Sequence, residues 1–112
     1  MPRNMSFAIT TQQFKDRTKT VTRRKGWRFL KVGEIVNGVE KAMGLKKGEK
    51  IKKLGQIRIL STRWEPLNHI DQQDCIREGF PDFTPEDFIE MYCSHNKCEP
   101  NSFCNRIAYD YI

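Results

Sequence analysis

The sequence predicts an α+β fold: a small antiparallel β-barrel with a short N-terminal helix and a two-helix insertion before the last strand. Four runs with β-branched density or apolar–polar alternation occur in the first 64 residues, and a fifth closes the chain. Two helix-start signals lie together between the fourth run and the fifth. A helical block inserted into a series of strands is typical of α+β domains. No linker or repeat interrupts the chain, so we expect a single domain over residues 1–112.

The N-terminal elements are a strand and a helix. "SFAIT" (6–10) alternates between polar and apolar residues and predicts a short strand. Thr10 is followed three residues later by Gln13, which fits a capping box, in which each residue's side chain caps the other's backbone N–H. This pattern predicts a short helix that begins after Thr10 and ends at about Arg17.

Three strand-like runs follow the helix. "TVTRR" (20–24) and "IVNGV" (35–39) have the β-branched content that strands favour. "KLGQIRILSTRW" (53–64) is longer and places Ile57 and Ile59 on one face, with Arg58 and Leu60 on the other. These three runs predict the body of the barrel.

The C-terminal part predicts two helices and the closing strand. Asp71 is a suitable N-cap for a helix that runs to about Glu78. Thr84 and Pro85 form the clearest helix start in the chain, because threonine caps the backbone N–H groups and proline suits the first helical position. The final run, "NRIAYDYI" (105–112), alternates apolar and polar residues and predicts the last strand.

Charge is divided unevenly along the chain. Residues 1–60 carry 16 Lys/Arg and 4 Asp/Glu, whereas residues 61–112 carry 4 and 10. A basic half favours a polyanionic partner. The same division would also arise if the basic and acidic halves pair with each other in the fold. Both alternatives remain open at this point.

The sequence carries no membrane or export signal. No window reaches the ~18 consecutive apolar residues of a membrane span, and residues 1–10 lack the apolar core of a signal peptide. We therefore expect a cytoplasmic protein with reduced thiols and no membrane partner. Cys93, His95, Cys98 and Cys104 lie close together, but their spacing lacks the tight pairs of zinc sites. We expect no metal and no cofactor, with a cysteine-based metal or redox site as a remote alternative.

Residues 18–29, "TKTVTRRKGWRF", interleave cations with aromatic residues. Arginine can bind two phosphate oxygens at once, and aromatic faces stack on unpaired bases. For Phe29 we expect a core position, whereas Trp27 suits either the core or base stacking. The residues that this pattern predicts to bind a ligand or nucleic acid are Arg23, Arg24, Lys25, Trp27 and Arg28.

Lys19 and Thr22 allow a second kind of chemistry in the same stretch. A threonine hydroxyl becomes a nucleophile when a base takes its proton, and a lysine with a lowered pKa can be that base. A spacing of three places the two side chains on opposite faces of an ideal strand. They can converge only if the chain turns near residues 18–20 before the strand begins.

The stretch "RTKTVTRR", followed by "WRFLKVGE", resembles the signature of the ASCH domain, a member of the PUA-like β-barrel superfamily. That signature is Gly-x-Lys-Thr-hydrophobic-Thr-x-Arg, then an aromatic segment and a hydrophobic-Gly-Asp/Glu turn. Arg17 stands where the family usually has glycine. The resemblance implies a PUA-like barrel over essentially the whole chain, and it adds Thr20 to the predicted binding residues. The matching positions are Lys19, Thr20, Thr22, Arg24, Gly33 and Glu34.

Within that family, a subgroup of similar length removes the acetyl group from N4-acetylcytidine. The resemblance to this subgroup implies a lysine, a threonine and a glutamate as catalytic residues, without a metal. Lys19 and Thr22 match the first two, and Glu78 in "IREGF" lies at the corresponding place in the helical insertion. Glu78 could equally form a plain ion pair with the basic stretch. We therefore expect recognition of RNA or a nucleoside through a basic cleft, with deacylation of N4-acetylcytidine-like nucleosides as the alternative. The oligomeric state stays open.

Overall fold

The computed structural model describes residues 2–42 and 45–112, and within these ranges a five-stranded mixed sheet packs against three α-helices and one 3-10 turn. This arrangement confirms the α+β class, the short N-terminal helix and the two-helix insertion before the last strand. No helix in the described ranges is long and apolar enough to cross a membrane. The strands are β1 (Asn4–Ser6), β2 (Val21–Arg24), β3 (Ile35–Val39), β4 (Lys53–Pro66) and β5 (Phe103–Tyr111). The helices are α1 (Thr11–Lys15), α2 (Gln72–Arg77) and α3 (Pro85–Asn96), with the 3-10 turn at Leu67–His69.

The strand order is β1-β3-β4-β5-β2. The long central strand β4 is antiparallel to both β3 and β5, and β2 is antiparallel to β5, whereas β1 runs parallel to β3. β1 and β2 are therefore the two edge strands, and no hydrogen-bonded ladder joins them in the described part of the chain. The predicted closed antiparallel barrel is not confirmed, because the sheet stays open at this seam and contains a parallel pair.

The first strand and the start of α1 differ from the sequence prediction. The strand predicted at 6–10 lies earlier, at Asn4–Ser6, and the following residues turn into the helix. The predicted capping box of Thr10 and Gln13 does not form, since the Thr10 side chain makes no capping hydrogen bond. The hydroxyl of Thr11 instead donates to the backbone carbonyl four residues earlier at 2.8 Å. Thr10 is buried and is one of the residues that line the cavity described below.

Both helix starts of the insertion are confirmed. The Asp71 carboxylate accepts a hydrogen bond from the backbone N–H of Asp74 at 2.8 Å. Thr84 and Asp87 form a full capping box, each side chain accepting from the other residue's backbone N–H. α3 then runs for three turns and ends at Lys97, which adopts the left-handed conformation common after helix ends. These local signals fix where the insertion begins and ends.

Two apolar clusters stabilise the fold. The first lies between the sheet, α1 and the loop after β2, and Ile57 and Ile59 share its buried face as predicted. Phe29, which we expected in this core, is half exposed, and its neighbour Leu30 is buried instead. The first cluster comprises Met5, Phe7, Phe14, Leu30, Val36, Ile57, Ile59, Ile107 and Tyr109. The second, between the insertion and the sheet, comprises Leu67, Ile70, Cys75, Phe88, Tyr92 and Cys104.

Candidate functional site

A cavity of about 260 Å³ lies at the open seam between the edge strands β1 and β2. One wall is residues 6–10, which follow β1 into α1. The second wall is Lys19 together with residues 22–24 of β2, and the third is provided by α3 and the loop before it. Side chains therefore surround a small cavity at the place where the two edge strands do not pair.

Lys19 and Glu78 form a buried ion pair in this cavity. The Lys19 ammonium donates to the Glu78 carboxylate (Oε1) at 2.6 Å and to the Glu78 carbonyl at 3.0 Å. The pairing has a local cause: the backbone N–H of Thr20 donates to the carbonyl of Arg77 at 2.7 Å, which ties the entry to β2 to the end of α2. Gly79 follows with φ +95°, a conformation that glycine adopts without strain. The chain thus brings together two residues that are far apart in sequence.

Burial lowers the pKa of Lys19 below the usual lysine value. The charge and hydrogen bond of Glu78 oppose this effect, and the cationic side chains of Arg24 and Arg23 add to it. Lys19 therefore loses its proton to form the neutral amine more readily than a solvated lysine does. A neutral amine is the form that can accept a proton from a neighbouring hydroxyl.

Thr22 and Arg24 share the inner face of β2. Thr22 is buried, and its hydroxyl accepts a hydrogen bond from Nε of Arg24 at 3.1 Å. Lys19 lies before the strand begins at Val21, so the alternation that separates positions 19 and 22 in an ideal strand does not apply. Both side chains accordingly line the same cavity, although no hydrogen bond joins them.

The guanidinium of Arg24 lies 4.8 Å from the ring centroid of Phe7, a cation–π contact. In the described part of the chain, Thr22 is its hydrogen-bond partner, and its remaining N–H groups have no protein acceptor. Burial lowers the pKa of Arg24, but the value starts so high that the side chain stays charged. A half-buried cation with free donors favours an acceptor-rich or anionic ligand group in the cavity.

Arg23 points away from Thr22 and enters a network of carboxylates. Its side chain is wholly buried and pairs with Glu78 at 3.2 Å, Glu65 at 3.2 Å and Asp74 at 2.5 Å. The contact with Glu78 uses Oε2, so that Lys19 and Arg23 hold the two carboxylate oxygens from different sides. This network gives Arg23 the role of orienting Glu78.

The other predicted binding residues lie outside the cavity. Thr20, Lys25 and Arg28 are exposed, and Trp27 is half-buried against the first apolar cluster. Trp27 has φ 64°, and its ring centroid lies 5.3 Å from that of Phe29. The sequence-predicted residues therefore separate into a cavity group and a surface group. The cavity group is Lys19, Thr22, Arg23, Arg24 and Glu78.

Helix α3 contributes cavity residues that the sequence pattern did not predict as site residues. Phe88, Tyr92 and Asn96 follow one another at intervals of four, which places them on one helix face, and His95 lies beside them. Tyr92 is 6% exposed, and its hydroxyl has no hydrogen-bond partner among residues 2–42 and 45–112. Burial raises the pKa of Tyr92, so the hydroxyl stays protonated. Apolar periodicity signals this face but does not distinguish a core face from a cavity wall.

The four cysteines are free thiols. Sγ of Cys98 lies 3.7 Å from Sγ of Cys93, and burial together with this neighbour raises the pKa of Cys93 to about 11. Cys75 and Cys104 are buried in the second apolar cluster. Over the residues that the structure describes, no group of three or more His, Cys, Asp or Glu side chains is arranged to hold a metal ion.

No family model matches the chain, and no curated protein sequence matches it. Two solved structures are similar in fold. Protein EF3133 from Enterococcus faecalis, of the DUF984 family, has a TM-score of 0.70 and 15% identity, over 100% of this chain and 80% of that chain. The hypothetical protein PH0355 has a TM-score of 0.70 and 13% identity, over 100% of both chains. At these identities the likeness shows a shared small-domain fold alone.

Proposed function

We propose that this chain is a metal-independent amidohydrolase that binds an N4-acetylcytidine-like nucleoside in the cavity and removes its acyl group. The observation that carries the proposal is the buried Lys19–Glu78 pair, which lines one cavity together with the Thr22 hydroxyl. The substrate class comes from the resemblance of residues 17–24 to the ASCH signature. The geometry contributes a base with a lowered pKa, a hydroxyl and a carboxylate within one small space.

The size and lining of the cavity favour a nucleoside over an RNA strand as its ligand. A volume of about 260 Å³ lies just below the ~300–1,000 Å³ that is usual for ligand sites, so it favours a ligand no larger than one base with its sugar. Phe7, Phe80 and Phe88 contribute apolar lining, and Arg24 and Tyr92 offer hydrogen-bond donors. Arg24 suits a carbonyl oxygen of the base or a phosphate on the sugar.

In the proposed reaction, neutral Lys19 takes the proton of the Thr22 hydroxyl as the threonine oxygen attacks the amide carbonyl carbon. The carbon–nitrogen bond then breaks. The leaving amine receives a proton from Lys19, either directly or through Glu78 across their 2.6 Å hydrogen bond. This step leaves an acyl group on Thr22 and releases cytidine. Because Lys19 and Thr22 are not hydrogen-bonded in the free protein, bound substrate has to draw them together.

In the second half-reaction, the Glu78 carboxylate takes a proton from water as the water oxygen attacks the acyl carbon. The bond to Thr22 breaks, and the threonine oxygen regains a proton from Glu78. Acetic acid leaves and ionises to acetate in water, and the site returns to its starting protonation. Arg23 holds the second carboxylate oxygen of Glu78 throughout, so the group faces Lys19 without rotating.

The decisive experiment measures acetate release from N4-acetylcytidine by wild type, Thr22→Val and Thr20→Val. Valine keeps the shape of threonine but removes the hydroxyl. We expect Thr22→Val to lose at least about a hundredfold in turnover and still bind the nucleoside. Thr20→Val is the matched control, because Thr20 is an exposed neighbour that does not line the cavity, and it should stay active. An active Thr22→Val variant would remove the proposed nucleophile.

Lys19→Arg and Glu78→Gln complete the series. Arginine keeps the positive charge but is not deprotonated in proteins, so a lysine base predicts an inactive variant. Glutamine keeps the shape of glutamate but cannot exchange protons, so turnover should fall by about 10²–10⁴-fold. Circular dichroism and nucleoside binding show whether each variant is folded. A wild-type protein that binds the nucleoside and releases no acetate would show that the site binds the nucleoside without hydrolysing it.

A further inference from the structure

An exposed aromatic strip, consisting of Phe29, Trp64 and Phe103, lies on the surface away from the cavity. These side chains are 53%, 38% and 51% exposed. Single exposed apolar residues are common on protein surfaces, but a cluster of aromatic side chains indicates an interaction site. None of the three lines the cavity, so the strip is separate from the proposed hydrolase site.

Strand register brings the strip together. Trp64 on β4 lies opposite Asn105 on β5, so Trp64 and Phe103 are diagonal neighbours on one face. Their ring centroids are 5.9 Å apart with an interplanar angle of 31°. The buried Asn105 side chain donates to the backbone carbonyl of Trp27 at 2.9 Å, which fastens the loop after β2 over the same end of the sheet. The same loop carries the exposed Phe29, which directly follows Arg28, and the Arg28 guanidinium lies over the Trp64 ring.

Arginine side chains lie on the aromatic rings of the strip. The guanidinium of Arg28 is 4.2 Å from the ring centroid of Trp64, and that of Arg3 is 4.1 Å from the centroid of Phe29. Arg28 makes no ion pair with any carboxylate of the described residues, and Lys25 nearby in the chain is exposed and likewise unpaired. The strip therefore combines partly exposed aromatic rings with two cations, Arg28 and Lys25, that lack an anionic partner among the described residues. Arg3 is also at this surface and pairs with Glu34 at 3.7 Å.

We propose that the aromatic strip binds a single-stranded polynucleotide. Unpaired bases stack on Phe103, and on Trp64 and Phe29 as the guanidinium groups of Arg28 and Arg3 move from these rings to phosphates. The exposed Lys25 contacts a phosphate as well. Charge complementarity selects this occupant over an apolar protein surface, because covering the strip with apolar groups would bury the guanidinium of Arg28 without a partner. A duplex fits poorly, since its bases are stacked on one another and do not present their faces.

The test is fluorescence anisotropy with labelled, unstructured cytidine–adenosine repeat oligonucleotides of about 12 nucleotides, as RNA and as DNA, against a duplex of the same length. We expect both single strands to bind more tightly than the duplex, and affinity to fall as salt rises. Trp64→Leu keeps apolar bulk but removes the π face and should weaken binding about tenfold, whereas Trp64→Phe should retain most of it. Phe103→Leu should weaken binding in the same direction.

Leu60→Ala is the matched control, because Leu60 is an exposed apolar residue of the same strand without a π face, and it should bind like wild type. Unfolding temperatures of all variants check that the sheet is intact. Three outcomes would overturn the proposal: Trp64→Leu and Phe103→Leu binding like wild type, a duplex binding as tightly as single strands, or self-association of the protein that the same variants abolish. Acetate release is measured in parallel, and its absence would leave this proposal unaffected.

Discussion

Arg24 and Tyr92 are among the cavity side chains that carry polar groups without protein partners in the described part of the chain. Burying an unpaired hydroxyl costs about 1–3 kcal/mol, and a cation costs more. A folded protein retains such a cost where a ligand supplies the missing partners. Both groups are hydrogen-bond donors, so the ligand should present acceptors to this part of the cavity. A base carbonyl, a ring nitrogen or a phosphate has this chemistry.

Tyr92→Phe tests this inference at a single atom. Removing the hydroxyl should weaken binding of N4-acetylcytidine about three- to tenfold, the value of one hydrogen bond. The same change should leave the unfolding free energy equal to or slightly above that of wild type, because it removes a hydroxyl whose burial without a partner is unfavourable. Calorimetric titration in the Thr22→Val background avoids turnover during the binding measurement.

The nucleoside affinity and the unfolding free energy of Tyr92→Phe together distinguish a ligand contact from a structural role of the hydroxyl. A Tyr92→Phe protein that binds as tightly as its parent would exclude the hydroxyl as a ligand contact. A protein that loses stability by more than 1 kcal/mol would indicate a structural partner for the hydroxyl instead.

At the scale of elements, α1 depends on one aromatic side chain. The helix has five residues, too few to be stable alone, and Phe14 anchors it on the sheet. The Phe14 ring packs over Gly38 on β3 and Gly55 on β4, where larger residues would collide with it. β3 and β4 shift register just after Gly38. The two glycines thus allow the helix to approach the sheet and bring residues 6–10 to the cavity.

Gly38→Ala should therefore destabilise the protein by about 1–3 kcal/mol, the usual cost of overpacking. A Cβ at this position would lie 2.3 Å from the Cζ atom of Phe14. Gly26→Ala is the matched control, because a Cβ there meets no atom within 4 Å, and it should be nearly neutral. Urea unfolding of both variants gives the comparison. If Phe14→Leu restores no stability to Gly38→Ala, the collision with the ring is not the cause.

At the scale of the whole molecule, a buried network of charges joins the insertion to the sheet. Arg23 on β2 contacts carboxylates from β4, from α2 and from the residue after α2. Asp74 on α2 also accepts from Arg106 on β5 at 2.8 Å and from Arg77 at 2.8 Å. Most of these pairs join the basic and acidic parts of the chain. Lys19 and Arg23 of the basic half thus pair with carboxylates of the acidic half, while many other cations of the described part of the basic half remain exposed.

Asp74→Asn should destabilise the protein by about 3–5 kcal/mol at pH 7, because it leaves buried arginines without their carboxylate. Burial alone would raise the pKa of Asp74, but hydrogen bonds from Arg106, Arg23 and Arg77 outweigh it and hold the pKa below the usual range. A lowered native pKa contributes stability that is present above the unfolded value of about 3.9. This contribution is lost as the pH falls through the native pKa.

The difference in unfolding free energy between wild type and Asp74→Asn should accordingly shrink as the pH falls below about 4. Urea unfolding at neutral and acidic pH measures it. Asp82→Asn, a change at an exposed aspartate, is the control and should shift stability little at either pH. A difference that is constant with pH would show that the Asp74 charge does not stabilise the fold.

Two helix caps and one strand alternation predicted from neighbouring residues are confirmed by the structure. The caps at Asp71 and Thr84 and the alternation around Ile57 each depend on neighbours within one or two turns. The capping box at Thr10 was predicted with the same reasoning and is wrong, because the buried Thr10 side chain turns to the cavity wall instead of capping α1. The core position predicted for Phe29 is wrong, because its neighbour Leu30 is buried there instead. Apolar periodicity does not determine which of two adjacent apolar residues is buried.

The sequence by itself determined the α+β class, the position of the insertion and the candidate set of Lys19, Thr22 and Glu78. Helix caps and strand alternation are local, and the candidate set followed from a resemblance over a short stretch. Only the tertiary structure decided that the sheet stays open and that Tyr92 lines a cavity with Lys19. It likewise decided that Arg23 is buried among carboxylates. The reason is physical: strand closure, burial and ion pairing depend on contacts between segments that are not neighbours in the sequence, such as Arg23 with Glu65 and Glu78, and no local pattern records these contacts.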